Sequence, residues 1–180
     1  MTEIDELSRS GWYTKAQQIA SPNFDARPLG QAIDMVVVHA ISLPPSEFGG
    51  EGVEQLFTNK LDPDTHPYYR EIQGLSVSAH FFIRRDGQLM QFVSCNDRAW
   101  HAGASSWGAR ERCNDFSIGI ELEGDDECVF ADEQYRVLNQ LLVVLYRAYP
   151  IVHVVGHSDI APGRKTDPGP CFDWQRVVRI

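Results

Sequence analysis

Two short runs constrain this chain more than anything else in it: Met35-Val36-Val37-Val38 and Val152-His153-Val154-Val155. The first lies in a stretch, residues 33–41, that is apolar on both faces of an extended chain. Such a strand has no side to offer water, so it belongs in a central position of a sheet covered from both sides. The second reads as another buried strand. Each leads into a histidine at its carboxyl end, His39 directly and His157 after Gly156. In open α/β sheets, ligands gather at that end of the strands.

The remaining signals fill in a layered protein. Residues 77–84 read as a strand, 85–88 as a tight turn and 89–93 as the returning strand of a hairpin. A strand covers 117–122, and a short helix is expected over 53–59. The best helix opens at Ala131-Asp132-Glu133-Gln134, with Asp132 as its N-cap. Tyr135, Leu138, Leu141, Leu142, Leu145 and Tyr149 follow helical spacing, and Pro150 stops the helix. A last short helix is expected after Asp173. Residues 60–74 form a long irregular stretch, a kind that often lines binding sites. Residues 96–114 form a loop holding Trp100, His101 and Trp107. The expected class is α/β or α+β, a central mixed β-sheet flanked by helices. The 180 residues match one domain spanning 1–180, with residues 1–30 as an extended N-terminal arm.

Charge and hydropathy exclude several roles. The formal net charge is −9 and no Lys/Arg cluster forms a stripe, which argues against a nucleic-acid partner. No apolar run approaches the ~20 residues needed to cross a bilayer. The acidic start, Met1-Thr2-Glu3-Ile4-Asp5-Glu6-Leu7, lacks the apolar core of a secretory signal. The expectation is a cytoplasmic protein with no membrane association and no obligate protein partner. Four widely spaced cysteines, with no Cys-x-x-Cys pair, fit reduced thiols.

The chemistry concentrates in the stretch from Gly156 to Pro170. It is a Pro/Gly-rich loop without a periodic apolar face, so its polar side chains are free to converge on something other than a core. It carries His157, Lys165 and Asp167. With His39, two of these make a three-ligand zinc site, His39, His157 and Asp167, with an open fourth position. A lone histidine is usually a core or surface residue, and the shared strand-end context is what singles out these two. His80, within a strand, reads as packed or as a support behind the site, His153 as mid-strand and His66 as part of a polar loop. Hydrolysis also needs a group to take a proton from water. Along 117–123, Gly119, Glu121 and Glu123 share one face. A glutamate with a glycine beside it leaves room for a ligand. Spacing does not separate Glu121 from Glu123, nor either from a solvated carboxylate. Lys165, or Arg164, is placed to steady a developing oxyanion. Trp100, His101, Trp107 and Arg112 are candidate groove walls, for stacking on a sugar and gripping a carboxylate.

A longer pattern goes further. It runs through Val37-Val38-His39, Ile41-Ser42-Leu43-Pro44-Pro45, Val77-Ser78-Ala79-His80 and Arg98-Ala99-Trp100-His101-Ala102-Gly103. It continues through Asn114-Asp115-Phe116-Ser117-Ile118-Gly119-Ile120-Glu121-Leu122-Glu123-Gly124 and Lys165-Thr166-Asp167-Pro168-Gly169-Pro170. In these stretches the chain resembles the N-acetylmuramoyl-L-alanine amidase 2 family, zinc amidases that share a fold with peptidoglycan-recognition proteins and phage T7 lysozyme. The resemblance implies that His39, His157 and Asp167 bind Zn2+. It implies that Glu121, rather than Glu123, is the general base and that Lys165 steadies the oxyanion. It puts Trp100, Arg112, His101 and Ser42 against a muropeptide, a small-molecule substrate. The implied reaction is hydrolysis of the amide between the lactyl group of 1,6-anhydro-N-acetylmuramic acid and L-alanine, in cytoplasmic recycling of the cell wall. Two departures are visible. Ala40 stands where the family commonly carries Asn, and Ser76 where an Arg helps hold the peptide.

Other readings stay open on sequence alone. A muropeptide-binding module without catalysis characteristically lacks a metal ligand, whereas Asp167 is present. A protein-interaction role finds nothing basic or extended to support it. A purely structural ion predicts a closed shell of four protein ligands.

Overall fold

The computed structural model describes residues 7–179. The acidic start at 1–6, which carries the expectation about a secretory signal and the first part of the expected arm, lies outside the described residues. In chain order the strands are β1 (Gln17–Gln18), β2 (Phe24–Ala26), β3 (Met35–Ile41), β4 (Phe81–Ile83), β5 (Leu89–Gln91), β6 (Asp97–Ala99), β7 (Ser106–Trp107), β8 (Arg110–Glu111), β9 (Ser117–Glu123) and β10 (His153–Gly156). The α-helices are α1 (Gly52–Phe57), α2 (Pro67–Glu71), α3 (Asp132–Ala148) and α4 (His157–Ile160).

Among the described residues six strands form the main sheet, in the order β1-β5-β4-β9-β3-β10. The pairs β4–β9, β9–β3 and β3–β10 are parallel, and β4–β5 is the antiparallel hairpin. This is the mixed sheet the sequence predicts. Its central strands are covered on both faces, which suits the apolar run Met35 to Val38 of β3. Val36 and Val38 face α3, in a core with Ile118, Ile120, Leu138, Leu141 and Leu145. Met35 and Val37 face the other way, against Ala102, Cys113, Phe116 and Ile160. Further along that sheet, Phe82, Met90 and Phe92 pack on Val53, Leu56 and Phe57 of α1 and Tyr69 of α2. Among the described residues no helix is long and apolar enough to cross a membrane.

Several elements differ from the sequence expectation. Helix α2 forms inside the stretch read as irregular. His66 starts it, with its Nδ1 accepting the Tyr68 N–H at 3.1 Å, and Pro67 occupies the first turn. A five-residue helix set by its cap leaves no apolar period to read. Helix α3 begins at Asp132, so its N-cap is Ala131 rather than Asp132. Gln134 does the capping work: its Oε1 accepts the Ala131 N–H at 3.0 Å, while its Nε2 donates to the carbonyls of Ile83 and Glu123. Strand β10 lies at the sheet edge and is only partly buried, and Val152 is exposed. The loop at 96–114 contains β6, β7 and β8 and a 3₁₀ turn at Cys113–Asp115. Of the expected arm, β1 pairs with β5 and β2 with β6. The Arg27 guanidinium reaches inward and donates to the carbonyls of Asn114, Asp115, Cys95 and Ser117.

Candidate metal centre and active site

Sheet register builds the site. In the β3–β9 pair His39 lies opposite Glu121. In the β3–β10 pair Gly156 lies opposite Val38, so His157 comes level with His39 as the chain leaves the strand. Gly156 lets the loop fold back closely: a Cβ there would sit 2.9 Å from the Pro168 ring. The returning loop brings Asp167, whose carbonyl accepts the Ser158 N–H at 2.9 Å.

Three ligand atoms converge. His39 Nδ1 and His157 Nδ1 are 3.0 Å apart, and each is 3.1 Å from Asp167 Oδ2. Tetrahedral coordination at the usual zinc–ligand distances has edges of about 3.3 Å, so this triangle is close to that size. Both imidazoles are buried and Asp167 is half-buried. The His157 ring donates from Nε2 to the Ala102 carbonyl at 3.1 Å, which leaves its Nδ1 lone pair facing the triangle. Burial drives the pKa of His39 down to about 4, so this ring is neutral at neutral pH. Burial alone would raise the Asp167 carboxyl, but polar contact with His157 and His39 outweighs it and holds the group well below the usual carboxylate range. Two imidazole nitrogens and an ionised carboxylate, all at coordination distance, form a donor set that a divalent cation fits. Among the described residues no fourth His, Cys, Asp or Glu joins the group, in contrast to the closed shell of a structural ion.

Glu121 stands beside this triangle, its Oε1 4.0 Å from His39 Nδ1. Its Oε2 is buried and has no hydrogen-bond partner among the described residues. Burial pushes its pKa well above the usual value, the Asp167 charge adds to this, and Lys165 opposes both. Glu123 has a different task. Its carboxylate accepts the Gly49 N–H at 2.5 Å and the Arg85 N–H at 3.1 Å, tying the loop after β3 to the hairpin turn. Lys165 is exposed on the loop, and its charge is felt by both Glu121 and His39. Arg164, the alternative cation, is engaged elsewhere: it donates to the carbonyls of Ala102 and Ala104.

The expected groove residues fall in separate settings. Trp100 Nε1 donates to Asp25 at 3.2 Å, and Arg98 bridges Asp25 and Asp115. Arg112 adopts a left-handed backbone (φ 60°), and its exposed guanidinium contacts Asp115 at 3.3 Å. Trp100 and Arg112 are therefore joined through one charged network across β2, β6 and the 3₁₀ turn, which sequence reasoning did not find. Ser42 accepts the Ser46 N–H at 2.8 Å and so braces its own loop. Trp107 packs edge-on against His153. His101 stands beside the His39/His157/Asp167 triangle, its Nδ1 2.9 Å from His39 Nε2. Its ring fills the space beside Gly119 that the sequence reading left for a ligand, since a Cβ on Gly119 would lie 2.4 Å from it. His80 is packed as expected, accepting the Gly119 N–H at 3.0 Å.

A covered mixed sheet with a His/His/Asp donor set and a buried carboxylate at its strand ends defines an α/β amidase fold. The sequence profile of the N-acetylmuramoyl-L-alanine amidase family matches residues 29–170, and the chain belongs to this family. It is 52% identical over 172 residues to the 1,6-anhydro-N-acetylmuramyl-L-alanine amidase AmpD of Escherichia coli (strain K12), a match covering 94% of each chain. A crystal structure of a selenomethionine derivative of AmpD aligns with a TM-score of 0.92 at 52% identity, covering 94% of this chain and 96% of that one. The N-acetylmuramyl-L-alanine amidase AmiD from E. coli, in complex with anhydro-N-acetylmuramic acid-L-Ala-D-γ-Glu-L-Lys, aligns with a TM-score of 0.59 at 29% identity, covering 83% of this chain and 58% of that one.

Proposed function

We propose that this chain hydrolyses the amide between the lactyl group of 1,6-anhydro-N-acetylmuramic acid and L-alanine, with Zn2+ held by His39, His157 and Asp167. The observation that carries this is the triangle of two imidazole nitrogens and one carboxylate oxygen at 3.0–3.1 Å, with the partnerless Oε2 of Glu121 close by. The 52% identity to AmpD over 94% of both chains supports the substrate.

Bound zinc supplies a Lewis acid and brings the pKa of water to about 7. Glu121 accepts the proton of the attacking water at its free carboxylate oxygen. Its raised pKa makes it a better proton acceptor than an ordinary carboxylate, and it then returns the proton to the leaving amine of L-alanine. Lys165 sets positive charge against the oxyanion that develops on the lactyl oxygen. Trp100 offers a ring face to the sugar, and Arg112, held by Asp115, offers its guanidinium to a peptide carboxylate. Ser42 shapes the rim through its turn with Ser46. The substrate is a small muropeptide, and the setting is recycling of cell-wall fragments in the cytoplasm.

The test is Asp167→Ala, followed by metal analysis and a mass-spectrometric assay on anhydro- and non-anhydro-muropeptides. Zinc and turnover are expected to disappear together. Full turnover in this variant would overturn the assignment. A wild-type protein that binds the muropeptide but never cleaves it, with or without added zinc, would instead establish a binding module.

A further inference from the structure

We infer that His101 and Ser117 are positioning residues that fix which nitrogen of His39 carries its proton, leaving Nδ1 free for the metal. The inference rests on the reading of His39 as a ligand only for its consequence, not for the proton arrangement itself.

The arrangement follows from one fixed end. Ser117 Oγ lies 2.6 Å from the Cys113 carbonyl oxygen. A carbonyl only accepts, so the hydroxyl proton lies on that line; otherwise two oxygens would face each other at 2.6 Å with nothing between them. Ser117 Oγ then has only lone pairs to offer His101 Nε2, 3.3 Å away, so that nitrogen carries the His101 proton. In a neutral ring the other nitrogen, His101 Nδ1, is an acceptor. It faces His39 Nε2 at 2.9 Å, which must therefore donate. The proton of His39 is held at Nε2, and its Nδ1 presents a lone pair to His157 and Asp167.

Without this chain the preference would run the other way. Asp167 Oδ2 lies 3.1 Å from His39 Nδ1 and would draw a proton onto it, blocking the ligand position. Two features hold the chain in place. Gly119 gives the His101 ring its room. Arg27 grips the Ser117 carbonyl at 2.9 Å, on the strand that carries the hydroxyl.

The experiment uses full-length protein labelled with 15N in histidine, stripped of metal, at pH 7.5, with imidazole tautomers read from two-bond 1H–15N correlations. His39 is expected as the Nε2–H form in the wild type. Ser117→Ala is expected to convert part of it to Nδ1–H and to weaken Zn2+ binding about 10–100-fold, the usual loss for an outer partner of a metal ligand. Ser117→Thr, which keeps the hydroxyl, is expected to restore both readouts. An Nδ1–H form in the wild type overturns the proposal. So does a Ser117→Ala protein with unchanged spectrum and unchanged zinc affinity. His101→Gln separates the competing role: a higher KM for muropeptide at saturating zinc with unaltered zinc affinity would make His101 a substrate contact instead. A wild-type protein with the expected tautomer but no zinc binding would sink the metalloamidase reading and leave the proton arrangement standing.

Discussion

At the scale of single residues, Glu121 shows how a site can hold a group where the fold would rather not have it. Its burial and the nearby Asp167 carboxylate both disfavour its charge. Glu121→Gln is expected to keep zinc and to lose ~10²–10⁴ in rate. The same change should raise the melting temperature of the metal-free protein at neutral pH. The folded carboxyl titrates above its ordinary value of 4.5. Above pH 4.5 the unfolded chain sheds this proton while the folded chain keeps it, so stability falls as pH rises toward the folded pKa. Glutamine lacks that loss, and its advantage should vanish below about pH 4. Thermal unfolding of both proteins at pH 4 and pH 8 checks this; an advantage that persists at pH 4 would contradict it. The meeting of His39 and His157 was readable from sequence because each follows an apolar strand. Glu121 and Glu123 were not separable, because they share strand parity. What separates them is the pair of backbone N–H groups, from Gly49 and Arg85, that only the folded chain brings to Glu123.

At the scale of elements, β9 is the strand on which site and core meet. One face sends Ile118, Ile120 and Leu122 into the core beneath α3. The other carries Gly119 under the His101 ring and then Glu121. Gly119→Ala would place a methyl 2.4 Å from that ring, so the ring must move. The expected cost is about 1–3 kcal/mol by denaturant unfolding, as for other overpacked sites, together with weaker zinc binding. Unaltered stability and affinity would show that the ring yields freely. Strand β3 and helix α3 were legible because each has a long, regular apolar pattern. Helix α2 and the edge position of β10 were not. The first depends on a histidine cap, and the second on which strands lie beside it, neither of which leaves a periodic trace. The pairing of His101 with His39 was hidden for a similar reason: 62 residues separate them in the chain.

At the scale of the whole molecule, the layered mixed sheet could be read from the alternation of apolar runs and one strong helix. The cost of placing several imidazoles inside it could not. Burial lowers the pKa of His39 to about 4 and of His80 to about 3, against 6.5 for the free side chain. Below pH 6.5 the unfolded chain takes up protons that the folded chain refuses. Stability therefore drops as pH falls from 6.5 toward those values, by roughly 1.4 kcal/mol per pH unit for each histidine. Urea denaturation of metal-free protein at pH 7, 6 and 5 measures this, and a flat profile would contradict it.

The placement of β10 has one more consequence. This four-residue strand closes the sheet at its rim and, among the described residues, is bonded along one side only, to β3. The segment that follows it carries His157 and Asp167, while the opposing donor, His39, lies 118 residues earlier. An ion seated among them buckles the tail of the chain to its first long strand, as a removable cross-link would. Amide exchange over residues 154–156 then becomes a gauge of occupancy: slow while the buckle is fastened, quick once a chelator opens it.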